Sequence, residues 1–100
     1  MDRVAMLQEV LAQNPKDTFA RYGLAMEYVN RGDTSTALAE FRTLLEANPD
    51  YAAGYQMAAQ SLMKAGRDDE ARKMLENGIA CAIRIRIRIT SPASPFRNSP

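Results

Sequence analysis

Apolar residues in the first eighty positions recur at helical spacing. Val4, Met6, Leu7, Val10 and Leu11 form one stripe at three- and four-residue intervals, predicting a helix over 2–13 that Asn14-Pro15 ends. Asp17 is placed to cap a second helix over 18–30 or 31, which Gly32 stops in a left-handed turn. A third helix is predicted from a cap at Asp33, Thr34 or Ser35 to about Glu46, where Asn48-Pro49 punctuates again. Asp50 reads as the cap of a fourth helix from Tyr51 to Lys64 or Ala65, and Gly66 as its stop. A fifth begins at Asp68 or Asp69 and runs to about Ala80 or Ala82.

These elements repeat. Asn14-Pro15 returns thirty-four positions on as Asn48-Pro49, Gly32 as Gly66, Ala37 as Ala71, Tyr28 as Leu62 and Phe41 as Leu75. Tyr22 is answered by Gln56. That period belongs to stacked helical hairpins, which bury one face on each other and leave a concave face for partners. Ala20, Ala25, Ala37, Gly54, Ala59 and Ala71 are expected where paired helices approach closely. Leu24, Tyr28, Phe41, Leu44, Leu62 and Leu75 fill the volume between them.

The pattern breaks after Ala82. Ile83-Arg84-Ile85-Arg86-Ile87-Arg88-Ile89 alternates with period two, a strand pattern, and 90–100 is rich in Ser and Pro, a composition that builds no core. The charge breaks there too. Positions 1–80 hold nine basic and twelve acidic residues, whereas 81–100 hold four arginines and no acid. Three readings compete: a basic arm for nucleic acid, an edge strand for pairing, or a segment foreign to the domain whose gene repeat is read in another frame. The last is favoured, so 83–100 is taken as a non-native or disordered, non-helical tail.

Composition narrows the chemistry. One hundred residues, 46% hydrophobic and 25% charged, make one small domain. No apolar run is long enough to span a bilayer and the start lacks a signal-peptide block, so a cytoplasmic protein is expected. Cys81 is the sole cysteine and histidine is absent, which removes the usual metal ligands and the commonest general base. Cys81, Ser35 and Ser61 have no histidine to activate them. No enzyme activity and no cofactor is expected. Asp68-Asp69-Glu70 is read as a first helical turn complementing the helix dipole, not as a cation site. The body has no basic stripe, so nucleic-acid contact would rest on the tail alone.

The residues now carry a resemblance. Tyr22, Leu24, Ala25, Tyr28, Gly32-Asp33, Ala37, Phe41 and Pro49, followed by Tyr55, Ala59, Leu62, Gly66, Ala71 and Leu75, resemble tetratricopeptide repeats. Arg21 and Tyr55 stand where an aromatic opens the motif, and Ala25 and Ala59 where a glycine is usual. The likeness implies an all-α, right-handed α-α superhelix of about five antiparallel helices over 1–82: a half repeat at 2–15 and repeats at 17–49 and 51–80. It also implies a groove lined by the first helix of each repeat. Phe19, Tyr22, Gly23, Met26, Val29 and Asn30 would line it from one repeat, and Ala53, Gln56, Met57, Gln60, Met63 and Lys64 from the next. The lining is apolar and methionine-rich, suited to a peptide or helix with apolar anchors. The carboxylate clamp of the chaperone-binding subset is not expected, because Tyr22, Met26, Met57 and Gln60 hold its positions. The function expected is non-catalytic protein binding as a scaffold or adaptor. The alternative is a homodimer through the apolar repeat face or through an unfinished end around Leu75 and Ile79.

Overall fold

The computed structural model describes residues 2–90 and folds them into five helices. They are α1 (Arg3–Gln13), α2 (Thr18–Asn30), α3 (Thr34–Ala47), α4 (Ala52–Lys64) and α5 (Asp68–Thr90). Each helix packs chiefly on its neighbours in sequence. The result is a slab of 61 × 35 × 15 Å, two helices thick, rather than a ball. Its radius of gyration of 16.5 Å exceeds the roughly 13 Å of a globular chain of about a hundred residues. Elongation follows from nearest-neighbour stacking, in which no element reaches across the molecule.

Local chemistry sets the boundaries. Asp2, Asp17 and Asp33 each accept a backbone N–H of the following turn, from Val4 at 3.3 Å, Ala20 at 3.0 Å and Thr36 at 3.3 Å. Gly32 and Gly66 have φ of 77° and 76°, which a side chain would strain. Each lets the residue after it donate back to the helix: Asp33 N–H to the Tyr28 carbonyl, and Arg67 N–H to that of Leu62, both at 2.9 Å. The two Asn-Pro turns match as well. Asn14 N–H donates to Val10 at 2.8 Å and Asn48 N–H to Leu44 at 2.9 Å. The thirty-four-residue period is therefore geometric as well as textual.

The principal core joins α2 to α5. Ala25, Ala37, Leu38, Phe41, Leu44, Ala58, Leu62 and Ala71 form it, with Tyr22, Tyr28 and Tyr51 packed on its edges. Val4, Leu11, Ala20 and Leu24 make a smaller cluster between α1 and α2. The predicted small residues at the seams, Ala20, Ala25, Ala37, Gly54, Ala59 and Ala71, are all buried. Leu75 departs from its repeat partner: Phe41 is fully buried, Leu75 41% exposed. Phe41 has α4 packed over its helix, while among the described residues no helix follows α5.

Two local expectations are corrected. Asp50 does not cap α4. Tyr51 holds the N-cap position and makes no side-chain cap bond. The segment 83–90 is not a strand either, because α5 runs on through it to Thr90. Extending a formed helix costs far less than starting a new element, and arginine is a good helix former. Helical register also rewards the extension. Met74, Cys81 and Ile85 fall on one side and pack with Leu45 and Tyr55. Ile83, Ile87 and Ile89 turn outward, 53%, 57% and 75% exposed. Residues 91–100, expected to be disordered, lie outside the described residues.

Asp50 serves instead as a tether. Its carboxylate accepts from Arg88 at 2.8 Å and faces Arg84 at 3.6 Å, joining the start of α4 to the end of α5. The hydrogen bond from Arg88, with the charges of both arginines, holds the Asp50 carboxyl below its ordinary range. A lowered folded-state value means the tether is complete above the unfolded carboxyl's range and is lost as pH falls through the lowered one. Asp50→Asn is expected to speed amide exchange of 84–90 severalfold at neutral pH and to leave the core amides unchanged. Hydrogen exchange read by mass spectrometry at neutral pH measures this.

Candidate functional site

The predicted groove lining lies on α2 and α4, which Tyr22 of α2 and Tyr51 at the head of α4 bring together. Their rings meet edge to face at 5.5 Å, and Tyr22 meets Phe41 the same way at 6.3 Å. The lining divides into two groups. Tyr22, Met26, Val29 and Met57 are half-buried and pack against the core cluster, so they fill seams between helices. Phe19, Asn30, Gln56, Gln60, Met63 and Lys64 are exposed. Phe19 is 83% exposed and Met63 50%, which makes them the large apolar side chains of the lining still open to a partner. Ala53 is exposed, whereas Gly23 sits against α1, where an added Cβ would lie 3.6 Å from Leu7.

The electrostatics are mild. Burial, and then the neighbouring Tyr51, push the Tyr22 hydroxyl above its ordinary value, so it stays protonated at physiological pH. Arg21 holds Glu40 at 2.7 Å, tying α2 to α3 behind the groove. Cys81 is fully buried with Leu45 and Tyr55, closed to any substrate. Glu70, in the first turn of α5, accepts from Arg67 just before the helix. Among the described residues no three His, Cys, Asp or Glu side chains gather in a way that could hold a metal ion.

A second apolar surface lies at the end of the stack. Ala52, Tyr55 and Gln56 of α4, with Leu75, Gly78, Ile79 and Ala82 of α5, line an open groove of about 370 Å³. Leu75 and Ile79 were legible as an unfinished end. The α4 wall and the small residues Gly78 and Ala82 were not singled out from sequence. The period could have found them: Leu75, Gly78 and Ile79 stand thirty-four positions after Phe41, Leu44 and Leu45, all of which are buried.

Stacked hairpins capped and punctuated at one period define a helical-repeat protein, and comparison with known proteins gives the family. The tetratricopeptide repeat model matches residues 4–58 and 28–82. A tetratricopeptide repeat-containing protein of Pseudomonas aeruginosa is 30% identical over 76 residues, covering 76% of this chain and 72% of its own. The chain belongs to the tetratricopeptide repeat family. No solved structure matches it. Members of this family are generally protein–protein interaction modules without catalytic activity. Among the described residues no helix is long and apolar enough to cross a membrane.

The division of the lining has a measurable consequence. Met57→Glu places a charge against the core and is expected to cost about 1–3 kcal/mol. Phe19→Ala, at an exposed position, should stay within about 0.5 kcal/mol of the parent. Urea denaturation followed by circular dichroism separates them.

Proposed function

We propose that the chain is a non-catalytic binding module that takes an apolar peptide or helix across the α2/α4 face. The carrying observation is Phe19, a phenylalanine 83% exposed in the first turn of α2. An aromatic ring left in water on a preformed helix is a ready anchor, since few of its degrees of freedom remain to be lost on binding. Met63, half exposed on α4, is a second anchor whose flexible thioether adapts to varied apolar partners. Asn30, Gln56, Gln60 and Lys64 add exposed polar groups to the same two helices. These can hold the backbone of an extended segment or the polar edge of a helix. Tyr22, Met26, Val29 and Met57 form the floor that fixes the two helices in place. Binding is passive, with no bond made or broken.

A displayed library of amphipathic peptides panned against the full chain tests the reading. Enriched peptides should carry two spaced apolar anchors. Their affinity, measured by fluorescence anisotropy, should fall about tenfold in Phe19→Ala, the loss of one buried anchor. Substituting Thr43, exposed on α3, should leave it unchanged. No enrichment, or equal binding by Phe19→Ala and the parent, contradicts it.

A further inference from the structure

Tyr51 belongs to two packing clusters. It lies on the principal core, where its ring meets Tyr22 edge to face at 5.5 Å, and it also packs against the separate cluster of Leu45, Tyr55 and Cys81. Ile85 of α5 packs against that second cluster as well, one helical turn beyond Cys81. The backbone just before Tyr51 is held by the same stretch of α5. The Pro49 carbonyl accepts from the Tyr55 hydroxyl at 2.7 Å and from Arg84 at 3.4 Å. The Asp50 carboxylate accepts from Arg88 at 2.8 Å and faces Arg84 at 3.6 Å. The end of α5 therefore grips Pro49 and Asp50, and the next residue is the one whose ring supports the α2/α4 seam.

The grip is weak. The side chains of Asp50, Arg84 and Arg88 are 38%, 48% and 65% exposed, and exposed ion pairs stabilise little and are screened by salt. Ile83, Ile87 and Ile89 are each more than half exposed, which leaves Ile85 as the isoleucine of this stretch seated on the body. A helix end held by one isoleucine and two exposed pairs opens far more readily than the alanine-lined core. We propose that 83–90 is a salt-sensitive latch that positions Tyr51. Closed, it covers Cys81 and fixes Tyr51 against Tyr22; open, it uncovers Cys81 and loosens the α2/α4 seam. Asp50 is the positioning residue and acts through Tyr51. The consequence for partner binding rests on the α2/α4 reading: a segment that needs the seam fixed binds the closed form better and, by linkage, holds the latch shut.

Native Cys81, the sole cysteine, reports the latch through its rate of alkylation by N-ethylmaleimide, read by mass spectrometry on the full chain. In the parent the rate should rise severalfold as sodium chloride goes from about 0.01 M to about 1 M, over which the screening length falls from about 30 Å to about 3 Å. Asp50→Asn should react severalfold faster at low salt and lose most of that dependence. Tyr22→Ala should also speed the reaction, because Tyr51 links that ring to the latch. Val29→Ala, which trims the same helix against the same core, should not. A peptide enriched on the parent should slow alkylation severalfold. An Asp50→Asn rate equal to the parent's overturns the latch. Tyr22→Ala matching Val29→Ala, or a bound peptide that leaves the rate unchanged, overturns its link to the seam. A library that yields no peptide contradicts the α2/α4 reading alone, and the Asp50 and Tyr22 variants still decide this proposal.

Discussion

Where α2, α3, α4 and α5 converge, the side chains are methyl groups. Ala25, Ala37, Ala58 and Ala71 are each no more than 2% exposed and belong to one cluster with Leu38, Phe41, Leu44 and Leu62. Alanine there lets helix axes come close enough for the leucines and the phenylalanine to interdigitate. The other features hang on this approach. Tyr22 reaches both Phe41 and Tyr51 only because the hairpins are drawn together. Gly54 extends the same logic to the next junction, where Leu44 and Leu45 leave no comfortable room for a Cβ. Since every junction is local, the fold has no single centre, and among the described residues no further helix covers α1 or α5 at the two ends. Met6 and Val10 on α1 are 46% and 43% exposed, as Leu75 and Ile79 are on α5.

Much of this was legible because the signals are backbone signals. Gly32 and Gly66 are where left-handed turns are needed, Asn14-Pro15 and Asn48-Pro49 are where helices stop, and aspartates at 17 and 33 cap. Such residues act through their immediate neighbours, so a linear reading sees them. Asp50 was misread for the same reason. Its position fits a cap, but its partners are Arg84 and Arg88, more than thirty positions away. The alternation over 83–89 misled because a period of two describes side-chain order, not backbone geometry. α5 was already formed, and Ile85 gained a seat against Leu45 and Tyr55 by continuing it.

The proposed binding surface was legible as a set of positions but not as a set of exposures. The period names which residues of α2 and α4 share a face. It does not say that Met26 and Met57 are partly spent on packing, because that depends on Phe41 and its neighbours across the seam. Phe19 and Met63 stand out only once burial is known. The end groove was half legible: Leu75 and Ile79 signalled an unfinished face, while the small residues that give it shape acquire meaning from their counterparts at Leu44 and Asn48. A repeat protein thus carries two kinds of apolar surface, one along the stack at Phe19 and Met63 and the other at its end at Leu75 and Ile79.

Close approach at alanine governs the fold, and thermal unfolding of Ala37→Leu beside Ala53→Leu decides whether it does. Both changes add the same atoms within a helix, one at a fully buried seam and one at an exposed position of α4. The account predicts that Ala37→Leu costs about 1–3 kcal/mol, a fall in Tm of several degrees for a domain of this size, while Ala53→Leu leaves Tm nearly unchanged. Equal melting temperatures for the two variants would show that the seam has room to spare and would contradict it.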